Sequence, residues 1–224
     1  MAMPPLPDAA SAILLGALLG LRHATDADHV VAVTAIVARE RRLTRAAWIG
    51  ALWGLGHTAT LLLVGGSIVA FRLVIPPRVG LALEFGVALM LIGLGYANLR
   101  RRAHEDPETP AASLGGGLRS MLVGSVHGLA GSAAVALLVL STIRSTLAAL
   151  AYLAVFGLGT VLGMMSVTTL LAAPALYAGR RVASLHGGIR LAAGALSLVF
   201  GLLLARELIV EGGLFSAVPT WDPH

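Results

Sequence analysis

Six apolar segments of roughly 20 residues or more dominate this chain, with only short connections between them. They cover residues 10–38, 46–71, 79–99, 118–141, 147–175 and 187–210. A helix needs about 20 predominantly apolar residues to cross a bilayer. The pattern therefore predicts an all-α polytopic membrane protein with six transmembrane helices. Because the connections are too short for a soluble domain, we expect residues 1–224 to form a single integral membrane domain.

Composition and charge point the same way. The chain is 57% hydrophobic and 12% charged, whereas soluble domains are about 45–50% apolar and about 25% charged. All sixteen basic residues are arginines; eleven lie in residues 39–45, 100–119 and 180–190, four lie at 72, 78, 144 and 206, and Arg22 lies within the first apolar segment. Cytoplasmic loops carry an excess of basic residues. The net charge of +5 thus indicates topology rather than nucleic-acid binding, and we expect a multi-pass plasma membrane protein with both termini on the non-cytoplasmic side.

Two features of the sequence argue against cysteine chemistry and against a cleaved signal peptide. The chain has no cysteines, which excludes disulfides, thiolate metal sites and thiol redox relays. The leader "MAMPPLPDAA" has no basic side chain and carries Asp8, so it lacks the basic region of a signal peptide. We expect the first apolar segment to be retained as a helix.

The two halves of the chain resemble each other. Residues 19–36 ("LGLRHATDADHVVAVTAI") align with residues 123–140 ("VGSVHGLAGSAAVALLVL"), placing His23 on His127 and Gly20 on Gly124. Residues 51–62 align with 154–165 on a shared Gly-Leu-Gly, and Gly86 and Gly93 match Gly194 and Gly201. The offsets are 104, 103 and 108 residues. Spans rich in Gly, Ala and Leu also align by accident, but here three spans keep both order and spacing.

A duplicated unit of three spans must enter the membrane from the opposite side in its second copy. The alignment therefore predicts a 3+3 inverted repeat, with repeat one at about 10–99, a cytoplasmic linker at about 100–117 and repeat two at about 118–210. Such repeats place a shared site near the bilayer midplane. His23, His57 and His127 all lie near the middle of predicted spans.

The first apolar segment contains a polar cluster: Arg22, His23, Asp26, Asp28 and His29. On a straight helix all of them except Asp28 fall within an arc of roughly 120°, and Asp28 points to the opposite side. Either the helix unwinds locally, or Asp28 contacts a neighbouring helix while the others face an ion. Residues 23–38 contain no Pro or Gly, so the sequence leaves both alternatives open. Arg22 is also spaced to pair with Asp26 at i, i+4.

Ionisable groups inside a membrane usually line a substrate path, although a lone membrane histidine is more often a packing residue. Imidazole and carboxylate donors without thiolates suit nickel, cobalt or zinc, whereas magnesium and calcium require mostly oxygen. The predicted metal-contacting residues are His23, Asp26, Asp28, His29, His57 and His127.

Two motifs resemble the nickel/cobalt transporter family. "HATDADH" (23–29) is similar to that family's HxxxxDH signature, and "LGHT" (55–58) resembles its second motif. The resemblance implies that His23, Asp28, His29 and His57 contact the metal. Six spans rather than eight, together with "HGLAGSA" (127–133), resemble the shorter nickel permeases associated with urease and hydrogenase systems. The aspartates of the family's later motifs are missing from residues 156–169, which leaves His127, Thr160 and Met164 as candidates in the second half.

The leading hypothesis is a secondary permease for divalent nickel or cobalt, with uptake favoured over export and zinc a less favoured substrate. The chain has no phosphate-binding loop for ATP hydrolysis, and we expect no prosthetic group and no enzymatic activity. The alternatives are an exporter, a metalloenzyme with Asp26 or Asp28 as base, a hydrolase using His127 and Ser132, and an accessory protein that delivers metal. The expected partners are the ion and the bilayer; the oligomeric state is open, a homo-oligomer included.

Overall fold

The structure is a computed structural model that describes residues 9–38, 40, 42–73, 75–100, 114–129, 143, 145–179 and 183–221. Within these residues it contains seven α-helices and no β-strand. The helices are α1 (Ala9–His23), α2 (Ala27–Val37), α3 (Leu43–Phe71), α4 (Pro77–Arg100), α5 (Leu114–Leu129), α6 (Thr146–Gly179) and α7 (Ala183–Val210). The all-α prediction is confirmed for this part of the chain.

Four of these helices are long and apolar enough to cross a membrane. The qualifying stretches lie in α3, α4, α6 and α7 and cover Leu43–Phe71, Pro77–Arg100, Thr146–Pro174 and Gly187–Val210. Large apolar side chains on their outer faces are exposed, including Leu63, Leu170 and Leu203. A soluble monomer rarely exposes so much apolar surface, whereas a lipid-facing surface requires it. The architecture is that of a polytopic membrane protein.

The remaining two predicted spans look different in the structure. The segment predicted as one helix over 10–38 consists of the shorter helices α1 and α2, separated at residues 24–26. Of the fourth predicted span, α5 covers residues 118–129, and residues 130–141 lie outside the described part. The predicted linker at 100–117 is described only at residue 100 and from residue 114 onward.

The turn between α3 and α4 follows from its local sequence. Arg72 caps α3 in the left-handed conformation (φ 51°), and its N–H donates to the carbonyl of Ile68. Pro77 then provides the first residue of α4, a position where the fixed φ of proline suits a helix and its missing N–H costs nothing.

The central helix of each half occupies the middle of the bundle. Helix α3 packs against α5 and α6, α1 packs along α6, and α4 packs along α7. Helix α2 contacts α4, α6 and α7. Trp53, Ile49 and Leu91 are fully or almost fully buried in the main apolar cluster, together with Val33 of α2 and Met164 of α6.

Glycines permit close contacts between helices, and one kind of contact, a glycine against a backbone carbonyl, occurs both between α1 and α6 and between α5 and α3. A Cβ atom on Gly20 of α1 would overlap the carbonyl oxygen of Phe156 on α6. A Cβ atom on Gly124 of α5 would overlap the carbonyl oxygen of Trp53 on α3 in the same way. Small residues at such crossings let helix backbones approach closely in a membrane.

A second pair of contacts lies further along the same interfaces. A Cβ atom on Gly159 of α6 would overlap the carbonyl oxygen of Ala17 on α1. A Cβ atom on Gly56 of α3 would overlap the carbonyl oxygen of Met121 on α5. The interfaces α1–α6 and α5–α3 are therefore built from corresponding contacts.

Replacing Gly20 by Ala should destabilise the fold, because the added methyl group meets backbone that cannot rotate away. Overpacking of this kind costs about 1–3 kcal/mol. The matched control is Gly86→Ala in α4, where no atom lies within 4 Å of the added Cβ. Thermal unfolding in detergent, followed by circular dichroism, should show a lower midpoint for Gly20→Ala than for Gly86→Ala; equal midpoints would contradict the close α1–α6 contact.

Candidate metal centre

The break between α1 and α2 brings the polar residues of the first segment together. The N–H of Thr25 donates to the carbonyl of Arg22 at 2.8 Å, and the N–H of Asp26 donates to the carbonyl of His23 at 3.1 Å. Asp26 then adopts an extended conformation (φ −61°, ψ 146°) directly before α2. The structure combines the two alternatives left open by the sequence: the helix unwinds locally, and Asp28 also contacts His127 of α5.

This unwinding corrects one expectation. Asp26 does not pair with Arg22: its Oδ2 lies 2.7 Å from Nδ1 of His23, and Arg22 is exposed. The i, i+4 spacing of Arg22 and Asp26 applies to a continuous helix. Because the helix ends at His23, that geometry is lost.

A histidine triad forms the first part of the site. Nε2 of His23 lies 3.2 Å from Nε2 of His57, and the ring of His29 lies 4.6 Å from the ring of His23 and 5.4 Å from that of His57. One ring nitrogen from each of the three residues lies within 4.8 Å of the others. All three side chains are buried. We call His23, His29 and His57 the histidine triad.

An aspartate-containing triad adjoins it and shares His29. Oδ1 of Asp28 lies 3.0 Å from Nδ1 of His29, and Oδ2 of Asp28 lies 2.9 Å from Nε2 of His127. One donor atom from each of these residues again lies within 4.8 Å of the others. We call Asp28, His29 and His127 the Asp28 triad. Asp28 lies in the first turn of α2, where the helix dipole stabilises a carboxylate.

The site lies midway along the bundle. His57 is the central residue of α3, with fourteen residues on either side, so it lies about 21 Å from each end of that helix at a rise of about 1.5 Å per residue. His23 ends α1, and His127 lies in the last turn of α5. Four helices therefore deliver the imidazoles and carboxylates to one level.

Hydrogen bonds to the two aspartates orient two of the imidazoles. Nδ1 of His23 faces Asp26 and Nδ1 of His29 faces Asp28. A neutral imidazole that donates from Nδ1 presents an unprotonated Nε2 on its other edge. Carboxylates commonly hold metal-binding histidines in this way. Nε2 of His23 and Nε2 of His29 are therefore set up as metal donors.

Several buried nitrogen atoms of the site have no hydrogen-bond partner among the described residues. They are Nε2 of His29, Nδ1 of His57 and Nδ1 of His127. A buried polar atom without a partner costs free energy. The distance between His23 and His57 is informative too, because two nitrogen atoms about 2.0–2.1 Å from one zinc-like ion lie about 3.0–3.4 Å apart. A divalent ion fits between Nε2 of His23 and Nε2 of His57, beside the unpartnered Nε2 of His29.

The structure also shows the place of the two weaker candidates in the second half. The hydroxyl of Thr160 donates to the carbonyl of Phe156 at 3.0 Å, one turn earlier in α6. Met164 is buried in the main apolar cluster with Trp53 and Val33. The hydroxyl of Thr160 is thus hydrogen-bonded within its own helix, and Met164 contributes to packing.

Two aromatic residues that the motifs did not point to flank the site. The ring of Trp53 lies 5.5 Å from that of His127, and the ring of Phe156 lies 5.5 Å from that of His23. Trp53 precedes His57 by four residues, which places both on one face of α3. This spacing is the sequence signal that could have identified Trp53 as a neighbour of the site. Phe156 could have been found because it aligns with Trp53 when the two halves of the chain are compared.

One curated protein resembles this chain along nearly its whole length. The urease accessory protein UreH of Bacillus sp. (strain TB-90) is 36% identical over 220 residues, which cover 93% of this chain and 96% of that protein. The chain belongs to the UreH family. No family model matches the sequence, and no solved structure matches it. This relationship supports the predicted nickel/cobalt permease-type family. The six-span branch within that family stays a prediction.

Asp26→Asn should weaken binding of Co²⁺ to the purified protein, because the hydrogen bond that orients His23 is replaced by a weaker one. Loss of such an orienting carboxylate typically costs about 10–100-fold in metal affinity. Thr25→Ala is the matched control, since its hydroxyl bonds only to the carbonyl of Arg22 in the same exposed turn. Titration calorimetry should separate the two variants; unchanged affinity in Asp26→Asn would remove Asp26 from the site.

Proposed function

We propose that this member of the UreH family is a secondary permease that carries divalent nickel or cobalt across the plasma membrane, with uptake as its direction. The observation that carries the proposal is the convergence of four buried imidazoles and Asp28 at the middle of a bundle of apolar helices. Charged and polar groups at that depth are costly and usually serve a substrate path.

The donor set favours nickel or cobalt as substrate. Imidazole nitrogen atoms with one carboxylate suit these ions and zinc, and are a poor match for magnesium or calcium. The motifs shared with the nickel/cobalt transporters include His23, Asp28, His29 and His57. The relative is named for an accessory role in urease, and the shorter nickel permeases that this sequence resembles are associated with urease systems. We therefore place zinc behind nickel and cobalt.

The 3+3 inverted repeat is part of the proposal, and exchanged contacts support it. The offsets of the sequence alignment map Gly20 to Gly124 and Trp53 to Phe156. Gly20 packs on Phe156 and Gly124 packs on Trp53, so each glycine contacts the counterpart of the residue that the other contacts. A twofold axis in the membrane plane generates this exchange.

The same exchange occurs at the site itself. His23 lies 5.5 Å from Phe156, and His127 lies 5.5 Å from Trp53. His23 and His127 are counterparts in the alignment, as are Phe156 and Trp53. In the proposed mechanism the ion sheds water as imidazoles and Asp28 replace it, and rocking of the two repeats about the site exposes it to each side in turn.

The arginine distribution adds a topology to the proposal: six spans, with both termini on the non-cytoplasmic side. The proposal includes no catalytic step and no prosthetic group. One alternative has a specific observation behind it, because the relative's name describes an accessory protein. In that alternative the same site binds the ion for delivery to another protein without moving it across the membrane.

Transport into liposomes tests the proposal. Purified protein in sealed vesicles should admit Ni²⁺ and Co²⁺ faster than Zn²⁺, and His23→Ala or Asp28→Ala should lower the rate by roughly 10–100-fold, the usual effect of losing a metal-site residue. Ser197→Ala is the control, since Ser197 is a buried polar residue that bonds to the carbonyl of Leu91 in the α4–α7 interface.

Each outcome of this assay discriminates between the functions. Binding of the ion without entry would replace the permease by the accessory protein. Entry that is unaffected by both site substitutions would remove His23 and Asp28 from the transport path.

A further inference from the structure

We propose that the transported ion occupies two adjoining positions in turn, the histidine triad and the Asp28 triad, and that His29 belongs to both. This inference rests on the proposed transport function. It adds a second metal position, which includes the residue that repeat two contributes to the site, His127.

The geometry separates the donors into two groups rather than one. In each triad, one donor atom per residue lies within 4.8 Å of the others, and among the described residues no such group joins His127 to His23 and His57. The ring of His29 lies between them, 4.6 Å from that of His23 and 4.4 Å from that of His127. One ion therefore cannot contact all of these donors in the arrangement shown.

The two positions differ in chemistry. The histidine triad offers three imidazole nitrogen atoms, with Asp26 and Asp28 holding two of the rings from behind. Nickel and cobalt bind such nitrogen donors well. In the Asp28 triad the carboxylate is itself a donor, and it brings a negative charge into direct contact with the ion.

Asp28 therefore has a different role for each position. With the ion in the histidine triad, Asp28 accepts the N–H of His29 and orients its ring. With the ion in the Asp28 triad, the ion replaces the hydrogen bonds that Asp28 now makes to His29 and His127 at 3.0 and 2.9 Å. The proton on each of these ring nitrogens then moves to the other nitrogen of the same ring, which has no hydrogen-bond partner among the described residues. Moving between the positions exchanges His23 and His57 for Asp28 and His127, while His29 keeps contact with the ion.

The positions also belong to different parts of the repeat. The histidine triad lies entirely on α1, α2 and α3, whereas His127 lies on α5. In the proposed topology α1 reaches the site from the outside and α5 reaches it from the cytoplasm.

Two divalent ions this close would repel each other and compete for His29, so only one position is filled at a time. The full-length protein in detergent should therefore bind one Co²⁺ per chain at saturation, measured by equilibrium dialysis. Two tightly bound ions per chain would overturn the shared role of His29.

A double-mutant comparison then tests the second position. The histidine triad offers three imidazole nitrogens, so we expect it to bind Co²⁺ more tightly than the Asp28 triad and to dominate the wild-type affinity. His127→Gln alone should therefore change Co²⁺ affinity by less than about threefold. His57→Ala should weaken binding by roughly 10–100-fold and leave the ion in the Asp28 triad. His127→Gln added to His57→Ala should then weaken binding by a further factor of roughly 10 or more.

Glutamine is chosen at residue 127 because its amide N–H can still donate to Asp28 and so preserve the fold. Equal weakening by His127→Gln in both backgrounds would show a single site that contains every donor. No weakening in either background would show that His127 binds no ion. Either result would overturn the inference.

Transport by the same variants separates this inference from the proposed function. His127→Gln should carry Co²⁺ into liposomes at least about 10 times more slowly than wild type, a larger loss than its change in affinity, whereas Ser197→Ala should match wild type in both measurements. If wild-type vesicles take up no ion, the proposed function fails. If the wild type transports and His127→Gln transports equally fast, only the second position fails.

Discussion

The carboxylate of Asp28 joins imidazoles from different parts of the bundle, and the organisation of the site depends on it. One oxygen holds His29 of the same helix and the other holds His127 of α5, which lies 99 positions further along the chain than Asp28. In an apolar interior such hydrogen bonds are stronger than in water, and polar groups without partners are costly. Removing Asp28 would leave two buried imidazoles without their acceptor, so this residue ties the metal chemistry to the packing of the two halves.

The break in the first apolar segment makes that arrangement possible. On a continuous helix Asp28 points away from His23, as the helical spacing of the sequence indicates. Ending α1 at His23 and starting α2 at Ala27 places His23 beside His57 and the carboxylate of Asp28 between His29 and His127. The break leaves a few backbone groups outside the regular helical pattern at membrane depth, which is tolerated where they are buried in protein or line a cavity. The discontinuity interrupts the helix at the same place where it brings His23, Asp26 and Asp28 into contact with other polar side chains.

The sequence predicted much of the architecture and the residues of the site, and its failures have physical causes. The all-α class and the long apolar helices follow from the length of the hydrophobic segments in the sequence. The alignment of the two halves identified His127 as the counterpart of His23. The break could not be located, because no Gly or Pro marks it; the one local signal is Asp26, a residue type common at helix starts. Spacing along one helix contains no information about tertiary geometry. It therefore could not predict that Asp26 pairs with His23 rather than Arg22, or that the donors divide into two triads.

The central claim is that one transition-metal ion binds between helices at the middle of the membrane, held first by Nε2 atoms of the histidine triad. An experimental structure of the Ni²⁺-loaded protein, with the ion located by anomalous scattering at the nickel edge, tests this most directly. The account predicts a peak about 2.1 Å from one nitrogen of each of His23, His29 and His57. A single peak at the protein surface, with these three rings packed against aliphatic side chains, would contradict it.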